Sequence, residues 1–376
     1  MLTKISKLLL TNFRNFHSKK LEFSKNLVLF AGQNGVGKTN ILEALTMLGR
    51  SSTLRSDSFD EMILDDKVEQ KKAQQFAIYA EVSGSEVIEK IGISFDLGAK
   101  KKITHINGEP LNVRRQSDVK DHLINFIFLT PKLEQLFISS KSERRDYLDK
   151  IVADIDLEHS ARVFNYQKSL KERLLILQKY RNQNTAQKWL EAIETQIVEL
   201  GVAIASARLE AVNFFNKAIE SFASNFPKAQ LKVFGEVEEM LEGQSAVQLE
   251  DFFREKLRQN RGVDLENFKT NFGVHRCDFD AIFPEKNALA TRSSTGEQKS
   301  IMIGITLARA KISTTYKNQP TILIFDEVAS HLDDKKKSDL FLEINSTNLQ
   351  AFFSATSVDL VPPQILAENF FEVKNL

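Results

Sequence analysis

The chain is short of the residues that stiffen or cross-link proteins. It has one cysteine, Cys277, in 376 residues, so an internal disulfide is excluded and a reducing, cytoplasmic setting is expected. A lone cysteine of this kind reads as a packed small side chain, not a nucleophile. Only 15 glycines and 7 prolines occur, and no low-complexity linker or internal repeat is visible. No apolar run approaches the ~20 residues that a membrane-spanning helix needs. The opening MLTKISKLLLTNFRNF lacks a long apolar segment and a small-residue cleavage site, so it does not read as a secretion signal. The formal net charge is only +1, so any contact with nucleic acid must use a local basic surface. What remains is ordinary globular composition, 42% hydrophobic and 27% charged, long enough for two or three domains.

Against this background one short stretch carries chemistry. Residues 32–39 read GQNGVGKT and fit G-x-x-x-x-G-K-[ST] at Gly32, Gly37, Lys38 and Thr39. The apolar run Leu27 to Ala31 precedes it as a buried strand, and NILEALTML follows with helical spacing. Strand, glycine loop and helix are the context the motif requires. By chance alone the pattern arises about once in a hundred chains of this length. The loop Gly32, Gln33, Asn34, Gly35, Val36, Gly37 would curl backbone N–H groups around phosphate oxygens. Lys38 would reach the β and γ phosphates, and Thr39 would offer its hydroxyl to Mg²⁺.

Two further stretches extend that reading. TILIFDE, Thr321 to Glu327, has the form of a Walker B strand whose acids emerge at the edge where such sheets bind ligands. Asp326 would hold Mg²⁺, directly or through water, and Glu327 would orient the attacking water. SSTGEQKS places Ser294 and Gly296 at the mouth of a helix, 32 positions before Asp326. With Glu297 and Gln298 it resembles the signature of ABC-type ATPases, which serves the γ-phosphate held by a second subunit. An ordinary capped helix is the competing reading. SHLD, with Ser330 and Asp333, follows where such ATPases carry a D-loop.

The rest of the chain is read as alternating strand-rich and helical parts. Lys4–Leu10, Leu21–Phe23, Phe76–Val82, Lys90–Leu97 and Lys102–Ile106 suggest an antiparallel sheet, and Phe126–Pro131 one more buried strand. From Ser142 to Ser224 the pattern is that of long helices packed antiparallel, without the sustained heptads of a long coiled coil. Strand signals return from Phe272, including Asp278–Phe283 and Gln350–Ala355. The expected fold is an α/β, ABC-type P-loop ATPase head interrupted by an inserted helical arm. Its expected boundaries are 1–140 for the first part of the head, 141–270 for the arm and 271–376 for the rest.

The chain resembles the RecF proteins of bacterial replication and recombinational repair, nearly from end to end. The likeness is carried by LLLTNFRNF, GQNGVGKTNILEAL, GRSSTLRS, INGEPL, FLTPKLEQLF, SERRDYLD, GVHRCDF, SSTGEQKS and ILIFDEVASHLD. It implies an ATP-dependent DNA-binding protein that dimerises with ATP and hydrolyses it slowly under DNA stimulation. It also implies action at gaps and single–double-strand junctions, with RecR and RecO, in loading RecA. Departures are Glu297 where Gln is frequent, Val274 for proline, Cys277 for an acid, and an Asp-Glu pair where several members have Asp-Asp. No histidine follows FFSAT, so Thr356 or Ser357 stands where transporter cassettes carry a switch histidine. That absence, with the roughly 130-residue insert, argues against a transporter cassette. A Rad50- or SMC-like clamp would need far longer arms, and Glu327 argues against a mere ATP-binding scaffold. Candidate DNA contacts are Arg55, Arg114 and Arg115, with Lys100–Lys102, Arg144–Arg145 and Lys335–Lys337 as further basic clusters.

Overall fold

The computed structural model describes residues 3–50, 54, 58–66, 71–84, 87–111, 122–179, 184–328, 332–367 and 371–376. The chain forms two compact units, Met1–Glu134 with Thr306–Leu376, and Gln135–Ile305. The expected arm, 141–270, lies wholly inside the second unit, which extends further at both ends.

The first unit contains two main sheets, besides the short antiparallel pair Asp65–Asp66 with Lys71–Lys72. One is five-stranded and parallel, in the order Asn125–Leu129, Thr321–Asp326, Gln350–Ala355, Leu27–Ala31, Phe371–Asn375. The first four of these strands are buried along their whole length. This is why they read as continuous apolar runs: a parallel sheet is covered on both faces. The other sheet is antiparallel, with Phe16–Glu22, Lys4–Phe13, Gln75–Ser83, Lys90–Asp96, Lys101–Ile106 and Glu109–Pro110 in that order. Its alternating pattern puts Leu8, Leu10, Ile78, Ala80, Ile91 and Ile93 inside. One core joins these residues to Ile41, Leu42 and Leu45 of the helix Lys38–Met47 and to Phe30, Ile324 and Phe352 of the parallel sheet. The register of Lys4–Phe13 against Gln75–Ser83 slips between Ile5 and Lys7. There the buried Gln350 amide takes both backbone groups of Ile5, each at 2.8 Å, which ties the two sheets together.

In the second unit the helices Lys141–Ile155, His159–Lys179 and Asn184–Ser221 dominate. The last has 38 residues, a length of about 57 Å. It runs antiparallel to its predecessor: Ser169 meets Gln196 and Arg173 meets Glu194. Arg173 is fully buried and is matched by Glu194 and Asp264, with Arg261 on the far oxygen of Glu194. Two cations and two carboxylates therefore balance inside the helical pack, as buried charge requires.

Asp278–Phe283 corrects one expectation. It does not join the nucleotide-fold sheet but pairs with Gln230–Phe234 and Ala288–Leu289 in a small antiparallel sheet of the second unit. A strand's side-chain pattern names its buried face, not its partner. Gln230–Phe234 and Phe371–Asn375 were not marked by sequence, being short and half-exposed.

Candidate nucleotide-binding site

The loop 32–39 leaves the end of the buried strand Leu27–Ala31 and enters the helix Lys38–Met47. Gly35 and Gly37 have φ of 89° and 107°, backbone that side chains with a Cβ rarely adopt. At Gly37 a Cβ would also stand 2.5 Å from Cζ of Phe16, so the helix start is closed to anything larger. Gln33, Asn34 and Gly35 are exposed. Lys38 is buried, and its Nζ donates to the carbonyls of Gly32 at 2.7 Å and Gln33 at 2.9 Å. The ammonium thus closes the loop's own ring beside a helix N-terminus, whose first four N–H groups have no intrahelical acceptor. A helix N-terminus with one cation beside it suits an oligophosphate.

Thr39 Oγ1 donates to Asp326, at 3.1 Å from Oδ1 and 3.3 Å from Oδ2. Asp326 is the last residue of its strand and is buried. Between the loop strand and the Walker B strand runs Gln350–Ala355, which brings Ser354 level with Asp326 on one side and Phe30 on the other. Ser354 Oγ donates to Asp326 Oδ1 at 2.6 Å and accepts the Glu327 N–H at 2.9 Å. Glu327 itself has φ of 57°, a left-handed conformation costing a non-glycine residue roughly 1–2 kcal/mol. The hydroxyl of Thr39 and the carboxylate of Asp326 form an oxygen-only donor set. That chemistry fits Mg²⁺, which takes one or two carboxylates and completes its shell with phosphate and water.

A brace behind the loop escaped the sequence reading. Asn15 Nδ2 donates to the Val36 carbonyl at 3.1 Å, and Asn15 Oδ1 accepts from Asn40 at 2.8 Å. Next to it, Arg14 grips the buried Glu43 of the helix with two hydrogen bonds, at 2.8 and 2.7 Å. These residues lie in LLLTNFRNF, a stretch notable in sequence only for its family likeness. No spacing rule links a hairpin tip to a phosphate loop. Ser354 was missed for the same reason.

The signature stretch opens the helix Thr295–Thr315. Ser294 and Gly296 are exposed, and apart from its chain neighbours and its own helix turn nothing lies within 4 Å of where a Gly296 Cβ would be. Glu297 accepts the Ser294 N–H at 2.8 Å and pairs with Lys286 at 2.5 Å. The Lys286 contact first, then the Ser294 hydrogen bonds, hold its carboxyl down at about 2. Gln298 is buried and donates to the Ser293 carbonyl. The helix cap is therefore real, and it leaves the Ser294–Gly296 edge open. The described geometry gives Asp333 a capping contact: it accepts from Lys336 N at 2.8 Å at the start of Asp334–Ser346. Ser330 lies outside the described residues. After the central strand, Thr356 is exposed, while the Ser357 hydroxyl is tied to Asp359 at 2.7 Å.

Among the basic candidates, Arg55, Arg114 and Arg115 lie outside the described residues. Arg144 is held by Asp278 through two hydrogen bonds of 2.8 Å, and Arg145 by the Cys277 carbonyl. Both serve the second unit's interior. Lys102 sits 5.3 Å from the Phe59 ring centre, and Lys337 pairs with Asp334.

The family described as RecF/RecN/SMC N terminal domain matches residues 4–362. The DNA replication and repair protein RecF of Allorhizobium ampelinum is 34% identical over 360 residues, covering 95% of this chain and 94% of that protein. RecF of Agrobacterium fabrum is 34% identical over 376 residues, covering 99% and 97%. Among solved structures, the recombination mediator protein RecF-ATPrS in the RecFOR pathway superposes with a TM-score of 0.82 at 22% identity, over 96% of this chain and 94% of that one. The Smc head domain of Pyrococcus furiosus, with an extended coiled coil, reaches 0.52 at 17% identity, over 96% and 91%. At those identities the superpositions speak to the fold, an α/β P-loop ATPase head of the ABC and SMC type. With the sequence likeness spanning nearly the whole of both proteins, the chain belongs to the RecF family of DNA replication and repair proteins.

Proposed function

We propose that this protein binds ATP with Mg²⁺ in the 32–39 loop, dimerises with ATP, and uses that closure to bind DNA at gaps and junctions. The observation that carries the reading is the meeting of Lys38, Thr39, Asp326 and Glu327 at one end of the parallel sheet. In this scheme the loop from Gly32 wraps the phosphates, with N–H groups from Gln33 to Gly37 because that of Gly32 donates to the Ala355 carbonyl, and Lys38 turns from the loop carbonyls to the phosphates. Thr39 and Asp326 hold the metal, which neutralises phosphate charge. Glu327 orients the water and accepts its proton. Ser294, Gly296, Glu297 and Gln298 of one copy complete the site of the other, with Ser330 and Asp333 beside them. The open Ser294–Gly296 edge supports this role.

Within the same proposal, hydrolysis is slow and stimulated by DNA. The head is taken as Met1–Glu134 with Thr306–Leu376 and the arm as Gln135–Ile305, wider at both ends than the 141–270 expected from sequence. The protein works in the cytoplasm with RecR, and through RecO, towards RecA. The RecFOR pathway of the similar RecF-ATPrS structure supports those partners. Cys277, the only cysteine, supports the compartment. Among the described residues no helix is long and apolar enough to cross a membrane. ATP turnover measured with no DNA, with duplex and with gapped duplex tests the reading. The expected order is none, then duplex, then gapped duplex as the strongest stimulant. Equal turnover in all three contradicts it.

A further inference from the structure

We propose that Ser354 is a positioning residue that sets both Walker B acids, tying the metal-binding posture of Asp326 to the placement of Glu327; the inference rests on the nucleotide reading above. A serine hydroxyl has one proton to give and lone pairs to receive. Here the proton goes to Asp326 Oδ1 at 2.6 Å, a short bond of the charge-assisted kind. A lone pair receives the Glu327 N–H at 2.9 Å. The hydroxyl is therefore engaged on both sides, and its rotamer is determined by two neighbours that are adjacent in sequence.

Each contact constrains something different. Asp326 accepts from Thr39 as well, at 3.1 Å, but Thr39 must turn a lone pair towards the metal when it serves as a ligand. Ser354 has no such second duty, so its bond keeps the Asp326 carboxylate from rotating. Glu327 sits at φ 57°, and such a conformation persists only where its surroundings over-determine it. A hydrogen bond on the residue's own N–H is that kind of restraint. It fixes the direction in which the Glu327 side chain leaves the sheet.

The topology explains why position 354 can do this. Gln350–Ala355 is the strand between the phosphate-loop strand and the Walker B strand, paired in register with both. Its C-terminal end is where one side chain can reach the acids of the neighbouring strand while its own backbone pairs with the loop strand. Ser354 is buried, so its hydroxyl is shielded from competing water.

The test uses the full chain and the variants Ser354→Ala and Ser354→Thr, with three readouts. These are ATP affinity in Mg²⁺ against EDTA, single-turnover hydrolysis at saturating Mg²⁺, and the thermal midpoint. In Ser354→Ala the gain in ATP affinity from Mg²⁺ shrinks about tenfold, the usual scale for losing a partner of a metal-binding side chain. Hydrolysis falls about 100-fold, the scale of an ångström-level misplacement. Affinity in EDTA stays at the parent value, because the loop and Lys38 are untouched. Ser354→Thr restores the hydroxyl and with it both quantities. If Ser354→Ala keeps the parent's Mg²⁺ gain and hydrolysis rate, the inference is overturned, whatever the midpoint does. A well-folded Ser354→Thr that restores neither overturns it too. A parent whose ATP binding ignores Mg²⁺ overturns the nucleotide reading itself, which separates the two failures.

Discussion

Thr39 and Asp326 are 287 positions apart in the chain, yet the threonine hydroxyl rests 3.1 Å from the aspartate carboxylate. Two short strands achieve this, Leu27–Ala31 and Thr321–Asp326, held in place by the strand between them. The chemistry of a phosphate-bound metal needs a hydroxyl from the loop and a carboxylate from the opposite strand, and both are delivered at the same sheet edge.

Lys38→Met should weaken ATP binding by about 100-fold or more, since hydrogen bonds to charged groups are worth about 1.5–3 kcal/mol each and the ammonium would make at least two. The Lys38 bonds to Gly32 and Gln33 are also lost, so the loop loosens. A fluorescent-nucleotide titration checks this; parent-like affinity refutes it.

Glu327→Gln should bind ATP as the parent does and hydrolyse it about 10²–10⁴ times more slowly, because an amide keeps the shape but cannot take a proton. The ATP-bound dimer should accumulate. Unchanged turnover would assign the water to another residue.

Arg144→Ala should cost about 2–3 kcal/mol of stability, because Asp278 loses a charged partner that gave it two hydrogen bonds. DNA affinity of the folded protein should not change. A variant of normal stability with weakened DNA binding would return Arg144 to the list of DNA contacts.

His275 gives a pH signature. Burial, above all, lowers its pKa from 6.5 to about 4, and its neutral ring meets the Tyr166 hydroxyl at 2.9 Å and the Thr270 carbonyl at 2.8 Å. Between those two values the unfolded chain takes up a proton that the folded chain refuses. Stability is therefore full above pH 6.5 and declines as the pH falls towards 4, by on the order of 3 kcal/mol in total. Urea unfolding at pH 7 and pH 5 should show the decline in the parent and a much smaller one in His275→Gln. Equal declines would place the proton uptake elsewhere.

Much of this was legible in sequence for identifiable reasons. LVLFA, TILIFDE and QAFFSA announce themselves because strands buried on both faces are apolar throughout. Lys38 and Thr39 follow from a local motif, and Asp326 and Glu327 from the end of a buried strand. The Asn15 and Ser354 contacts were not legible, because each depends on which strands lie side by side. The same blindness counted Asp278–Phe283 with the head: its pairing with Gln230–Phe234 is a tertiary fact. Arg144 illustrates the limit for charges, since a basic pair in sequence does not show that a half-buried aspartate awaits it.

The central claim is that nucleotide closes two copies on each other through the Ser294 edge. Sedimentation of the parent and of Ser294→Arg, each with and without ATP and Mg²⁺, tests it beside a nucleotide-binding titration. The account predicts that the parent becomes a dimer only with ATP. Ser294→Arg should bind ATP normally, remain a monomer and lose hydrolysis, because its own loop is intact while the cation fills its partner's phosphate space. If the stretch is only a helix cap, the substitution should cost about 0.5–2 kcal/mol of stability and leave dimerisation alone. A Ser294→Arg protein that dimerises with ATP as the parent does would contradict the account.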